Sequence, residues 1–118
     1  MLKEMFEIQE KSQEYLGTWD KIDGSPEMEQ KFINQMILAC QEEIVEIMRE
    51  TAYKNPEFVE FGWKKGQGWN QENFKEEIID LWHFVMNLAL VSGMKSEEFY
   101  ERYKKKNEKN IERWNGDY

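Results

Sequence analysis

Two pairs of carboxylates, each spaced three residues apart, are the residues best suited to chemistry: Glu43 with Glu46, and Glu77 with Asp80. A spacing of three puts both members of a pair on one face of a helix. Both pairs are set in apolar sequence. From Ile78 to Val91 the chain reads IIDLWHFVMNLALV, in which only Asp80, His83 and Asn87 are polar. The other pair follows Ile33, Met36, Ile37, Ala39 and Cys40 and is interleaved with Ile44, Val45, Ile47 and Met48. Helices this apolar are expected to be buried on every side, in the core or at a subunit contact. An ionised carboxylate in such surroundings costs on the order of several kcal/mol unless it is paired or binds a metal. Set side by side, the two helices would gather about four negative charges, whose repulsion divalent cations relieve. All-oxygen donors suit Mg²⁺, or Mn²⁺, better than zinc. The plain alternative is that such pairs are solvated helix faces. A di-iron bundle needs two Glu-x-x-His pairs, and the chain has one histidine.

Other side chains could face a ligand. Asp80, His83 and Asn87 follow i, i+3, i+7 and share one stripe; a lone histidine there is either a hydrogen-bonded core residue or a ligand contact. Gln9 and Gln13 lie on the stripe of Leu2, Met5 and Phe6, where an amide could read a base edge or simply sit at the core boundary. Trp63 could stack on a base or pin its loop to the core. Lys106, Asn110 and Arg113, at i, i+4, i+7, offer one face of donors for a phosphate chain, with a solvated helix end as the alternative. Tyr118 is an aromatic that could fold over a ligand. Cys40 reads as a small core side chain.

These residues need helices to carry them. The two prolines and seven glycines fall between long helix-favouring runs, and the alternation that marks strands is absent. The spacing predicts helices over about Leu2 to Leu16, from Ser25-Pro26-Glu27 to about Ala52, from Gln71 to Val91, and from a Ser96-Glu97-Glu98 cap to about Trp114. Gly17 to Gly24 reads as a linker and Tyr53 to Asn70 as a shaped loop. The expected fold class is all-α: one four-helix-bundle-type domain over residues 1–118, with short helical turns in its loop. With 24 acidic and 16 basic residues the net charge is -8, which disfavours a nucleic-acid polymer as partner. No run is apolar enough to span a bilayer. One cysteine and the absence of a signal-like apolar run in MLKEMFEIQEKS set the expectation of a cytoplasmic protein.

Together these residues resemble the all-α nucleoside triphosphate pyrophosphatases, the superfamily of MazG-like proteins and dimeric dUTPases. Its signature, Glu-x-x-Glu on one helix and Glu-x-x-Asp on the next, is matched by Glu43-Ile-Val-Glu46 and Glu77-Ile-Ile-Asp80. The dimeric dUTPase branch is the nearer likeness, through LKEMFEIQ at Leu2 to Gln9, the loop around Trp63-Lys64, Asp80-Leu-Trp-His83-Phe84, and a tail running from Lys106 through Asn110 and Arg113 to Gly116 and Tyr118. The sequence departs from that branch where Ser12 follows Gln9 and where Asp117 separates Gly116 from Tyr118.

The resemblance implies that Glu43, Glu46, Glu77 and Asp80 ligate Mg²⁺. It also implies that Gln9, Trp63, His83 and Asn87 line the base and deoxyribose site, and that Lys106, Asn110 and Arg113 bind phosphates. The implied reaction is hydrolysis of dUTP to dUMP and pyrophosphate, with Glu43 or Glu46 holding the attacking water. A MazG-like enzyme acting on dCTP or on a broader set of triphosphates remains open, as does a non-catalytic helical assembly module. The breadth of the apolar helix faces sets the expectation of a homodimer or homotetramer.

Overall fold

The computed structural model of the chain describes residues 1–51 and 69–116. They form α1 (Leu2–Tyr15), α2 (Thr18–Ile22), α3 (Pro26–Arg49), α4 (Gln71–Val91) and α5 (Ser96–Trp114). There is no strand among the described residues, so the all-α class expected from the sequence is the one observed.

Local chemistry sets the helix starts. The Ser25 hydroxyl accepts from the Met28 N–H at 3.2 Å, Pro26 stands in the first turn, and Glu27 and Glu29 follow it there, where the positive helix end favours them. Asn70 caps α4 in the same way, accepting from the Asn73 N–H at 3.1 Å.

Three expectations need correction. The segment Gly17 to Gly24 is not a plain linker, because Thr18–Ile22 forms α2. Five residues are too few to show a helical apolar period, and α2 is instead held from outside: the Trp19 indole N–H donates to the Glu10 carbonyl at 3.2 Å, and its ring meets Phe32 edge-on at 6.0 Å. Gly17, at φ +74°, supplies the left-handed turn between α1 and α2 that a side chain would disfavour. Ser96 does not cap α5. Lys95 holds that position without a side-chain cap, and Ser96 is buried in the first turn. Finally, α3 ends at Arg49, and Ala52, where the sequence placed its end, lies outside the described residues.

The packed centre is small. Phe6 of α1 meets Met86 and Ala89 of α4, flanked by Leu2, Leu90, Met94 and Phe99. Phe99 brings in α5, its ring 5.4 Å from Phe6 and 6.4 Å from Trp82. α3 packs along α4 and against α2. The radius of gyration, 18.2 Å, well exceeds the ~13.5 Å of a compact chain of this length. Burial on every side of α3 and α4 is therefore not met within one chain. Ile37, Leu38, Ile44, Val45 and Met48 of α3 and Ile78, Ile79 and Trp82 of α4 are exposed, because these helices cover each other on one side only.

With so little core, its centre carries much of the stability. Phe6→Ala should cost about 3–5 kcal/mol, read as a lower midpoint in urea denaturation. An unchanged midpoint would contradict the core described.

Candidate metal and nucleotide site

The site follows from how α3 and α4 run against each other. At one end of their seam, Asn87 Nδ2 donates to Met36 Sδ at 3.4 Å. Seven residues on along α3 and seven back along α4, Glu43 faces Asp80 and Glu77. Beyond that, the Asn70 N–H donates to the Glu50 carbonyl at 3.0 Å. The helices are thus antiparallel, and two turns, ~10.5 Å, separate the Met36–Asn87 contact from the facing Glu43 and Asp80.

In the middle of the seam, one oxygen each of Glu43, Glu77 and Asp80 lies within 4.8 Å of the others. Glu43 and Glu77 are half-buried and Asp80 is exposed. Glu43 Oε2 is sealed from solvent and has no hydrogen-bond donor. Burial, the close Glu77 carboxyl and the charges of Glu77, Asp80 and Glu46 push the Glu43 carboxyl up to about 7. The Glu43–Glu77 contact becomes a hydrogen bond only when one of the two holds a proton, since two carboxylates have nothing to donate.

The fourth acid stands aside. Glu46 Oε1 accepts from Arg49 Nη1 at 3.3 Å. The expectation of four acids in a water-poor interior therefore becomes three converging oxygens at an open edge of the seam, with Glu46 one turn along α3. The edge is open because none of the described residues covers that side of α3 and α4. Three hard oxygen donors and an orphaned carboxylate oxygen make a set that a divalent cation fits.

About two turns away on the same seam is a cleft of about 390 Å³ between α1, α2, α3 and α4, lined among others by Gln13, Thr18, Phe32, Met36, Phe84 and Asn87. Asn87, only 2 % exposed, is its best-buried polar wall. Gln9 is buried behind Asn87 and donates through Nε2 to Asn87 Oδ1 at 2.7 Å. The sequence picked out Gln9 and Asn87 individually, but nothing in it reveals that they bond to each other. Thr18 was missed with α2, although Gln13, one turn after Gln9, points the same way. His83 is exposed on α4, between the acids and Asn87 in sequence, and is not part of the cleft wall.

The remaining candidates are less gathered. Lys106 and Arg113 are exposed on α5 without a carboxylate partner among the described residues, and Asn110 is half-buried. Among the described residues, the ring–ring contacts of α5 are made at Phe99, near its start, so they do not carry this basic face to the acids. Trp63 and Tyr118 lie outside the described residues. Glu50 and Asn70, which stand on either side of that stretch in sequence, are joined by their backbone hydrogen bond at the end of the seam opposite Asn87.

A family model described as dUTPase matches residues 1–99. The chain belongs to the dUTPase family. The match takes in α1 to α4, with the acids, Gln9, His83 and Asn87, and stops before Lys106, Asn110 and Arg113. The chain is also similar to the dCTP pyrophosphatase of Enterobacteria phage T4, with 39% identity over 49 residues, 42% of this chain and 29% of that protein. The match thus spans less than a third of that relative's length. No solved structure gives a significant match.

The Glu43 carboxyl dictates a pH signature. Its folded value, about 7, lies above the ordinary 4.5, so the folded state binds the extra proton. The stability this confers is full below pH 4.5 and is lost as pH rises through 7. In a chelator, Glu43→Gln should therefore raise the melting temperature relative to wild type more at pH 8 than at pH 4.5. An equal difference at both pH values would show that the carboxylates do not strain one another.

Proposed function

We propose that the chain is a divalent-metal-dependent nucleoside triphosphate pyrophosphohydrolase that converts dUTP and water to dUMP and pyrophosphate. The observation that carries this reading is the placement of three converging carboxylates and a nucleoside-sized cleft on one helix seam, about two turns apart. That separation suits a nucleotide whose base lies in the cleft and whose phosphates extend to the acids. Membership of the dUTPase family supports the same substrate.

Glu43, Glu77 and Asp80, with Glu46 beside them, would hold Mg²⁺ or Mn²⁺. A cation bound there supplies acidification of a bound water and offsets charge developing on the phosphates. Glu46 keeps Oε2 clear of its Arg49 contact, which leaves it able to orient the attacking water and take its proton; Glu43, once freed of its own proton, is the alternative. The water oxygen joins the α-phosphorus, the bond to the bridging oxygen breaks, and pyrophosphate leaves. Gln9 acts by holding Asn87 at the cleft wall, with Trp63 for the base and His83, outside the cleft and between the acids and Asn87, for the deoxyribose. Lys106, Asn110 and Arg113 grip the phosphates and Tyr118 covers them, once the tail of α5 is brought over the acids by this chain or a second copy. A homodimer, or a homotetramer, would cover the exposed apolar faces of α3 and α4. The setting in this reading is cytoplasmic.

The similarity to the dCTP pyrophosphatase of phage T4 favours a second reading, in which dCTP is the substrate. A panel of dUTP, dCTP, dTTP and UTP with analysis of products separates the two. Pyrophosphate release should require Mg²⁺ or Mn²⁺ and fall by about two orders of magnitude or more in Glu46→Gln and in Asp80→Asn. Full turnover in both variants rules the scheme out. Mg²⁺ with nucleotide should also raise the melting temperature, whereas a non-catalytic assembly module would show neither effect.

A further inference from the structure

We propose that Arg49 is a further phosphate-binding residue of the acid site, held by Glu46 until that carboxylate turns to a cation. The inference rests on the metal and nucleotide reading above and deepens it. A triphosphate brought up to three carboxylates is repelled by them, so it needs basic side chains as well as a metal. The contacts of α5 do not carry Lys106 and Arg113 to the acids. Lys75, two residues before Glu77, lies instead with Glu72 at 3.9 Å. Among the described residues, Arg49 is the basic side chain in contact with an acid of the site. Its Nη1 donates to Glu46 Oε1 at 3.3 Å.

The position of this pair on α3 makes it exchangeable. Glu43, Glu46 and Arg49 follow one another at intervals of three residues, and Arg49 is the last residue of the helix. Side chains three apart on a helix meet without help from packing. The two are 61 % and 43 % exposed, so water screens the pair and it holds weakly. A divalent cation at Glu43, Glu77 and Asp80 offers Glu46 Oε1 twice the charge of a solvated guanidinium. Glu46 Oε2 stays available for the attacking water.

Arg49 is then left beside the acids with its planar fork unpaired. That fork takes two oxygens of one phosphate at once, which a point charge does not. Before the exchange, the guanidinium neutralises a fourth negative charge beside three that repel one another. After it, the same group supplies positive charge where the phosphates arrive. One side chain serves two partners in turn.

The test reads metal and phosphate separately. Mn²⁺ binding without nucleotide is followed by the electron paramagnetic resonance of the free ion. Binding of inorganic pyrophosphate, the product of the proposed reaction, is followed by calorimetry in Mg²⁺. Arg49→Gln should tighten Mn²⁺ about two- to fivefold, the worth of an exposed ion pair, because Glu46 no longer leaves a partner. In a Glu46→Gln background the same substitution should lose most of that gain. Pyrophosphate should bind Arg49→Gln about tenfold more weakly, and Arg49→Lys, which keeps the charge, should recover part of the affinity. Arg49→Met is measured alongside, so that loss of fold in one variant leaves the other to decide.

Opposed signs for the two ligands separate this role from a structural one, which would weaken both. Weaker binding of both, unchanged pyrophosphate affinity, an equal Mn²⁺ gain in the Glu46→Gln background, or a wild type that binds neither ligand would each overturn the proposal. Failure of the pyrophosphatase reading looks different: the Arg49 signature appears in full, yet neither dUTP nor dCTP yields pyrophosphate.

Discussion

Mutual repulsion among Glu43, Glu77 and Asp80 is the constraint around which the other features are arranged. Two helices packed along each other place three acid oxygens within 4.8 Å of one another, at an edge where Asp80 is exposed and Glu43 Oε2 alone is sealed from solvent. Left alone, such a group resists its own assembly, and burial first, with the neighbouring carboxylates adding to it, pushes the Glu43 carboxyl up. The register of α3 against α4 nevertheless enforces it, through Met36–Asn87 on one side and Glu50–Asn70 on the other.

Around that seam the other helices are supports of unequal strength. α1 is fixed by Phe6 in the small core and by the Gln9–Asn87 bond. α2 is pinned by Trp19 and delivers Thr18 to Gln13. α5 is anchored chiefly at Phe99, so its basic stretch extends past the elements that hold it. The open faces of α3 and α4 belong to the same pattern: the described residues complete the seam but leave the outside of both helices uncovered.

Much of this was legible in the sequence, for definable reasons. The long helices announce themselves through apolar spacing and through Ser25-Pro26 and Asn70 at their starts. The acid pairs stand out because their surroundings are apolar. What could not be seen came from contacts distant in sequence. α2 exists because Trp19 finds Glu10 and Phe32, and the interior role of Gln9 exists because Asn87 lies 78 residues away along the chain. Apolar composition also overstated burial. Ile78, Ile79 and Trp82 look like core, yet they are exposed on a single chain, since composition says that a face wants cover and not where the cover comes from.

The backbone hydrogen bond between Glu50 and Asn70 has a consequence for how such a protein can vary. It fastens together the two points where the chain departs from the seam and returns to it. The bond is made by backbone groups alone, so it holds the two ends together whatever side chains stand near it, and lengthening the stretch closed by it carries only a slowly growing entropic cost.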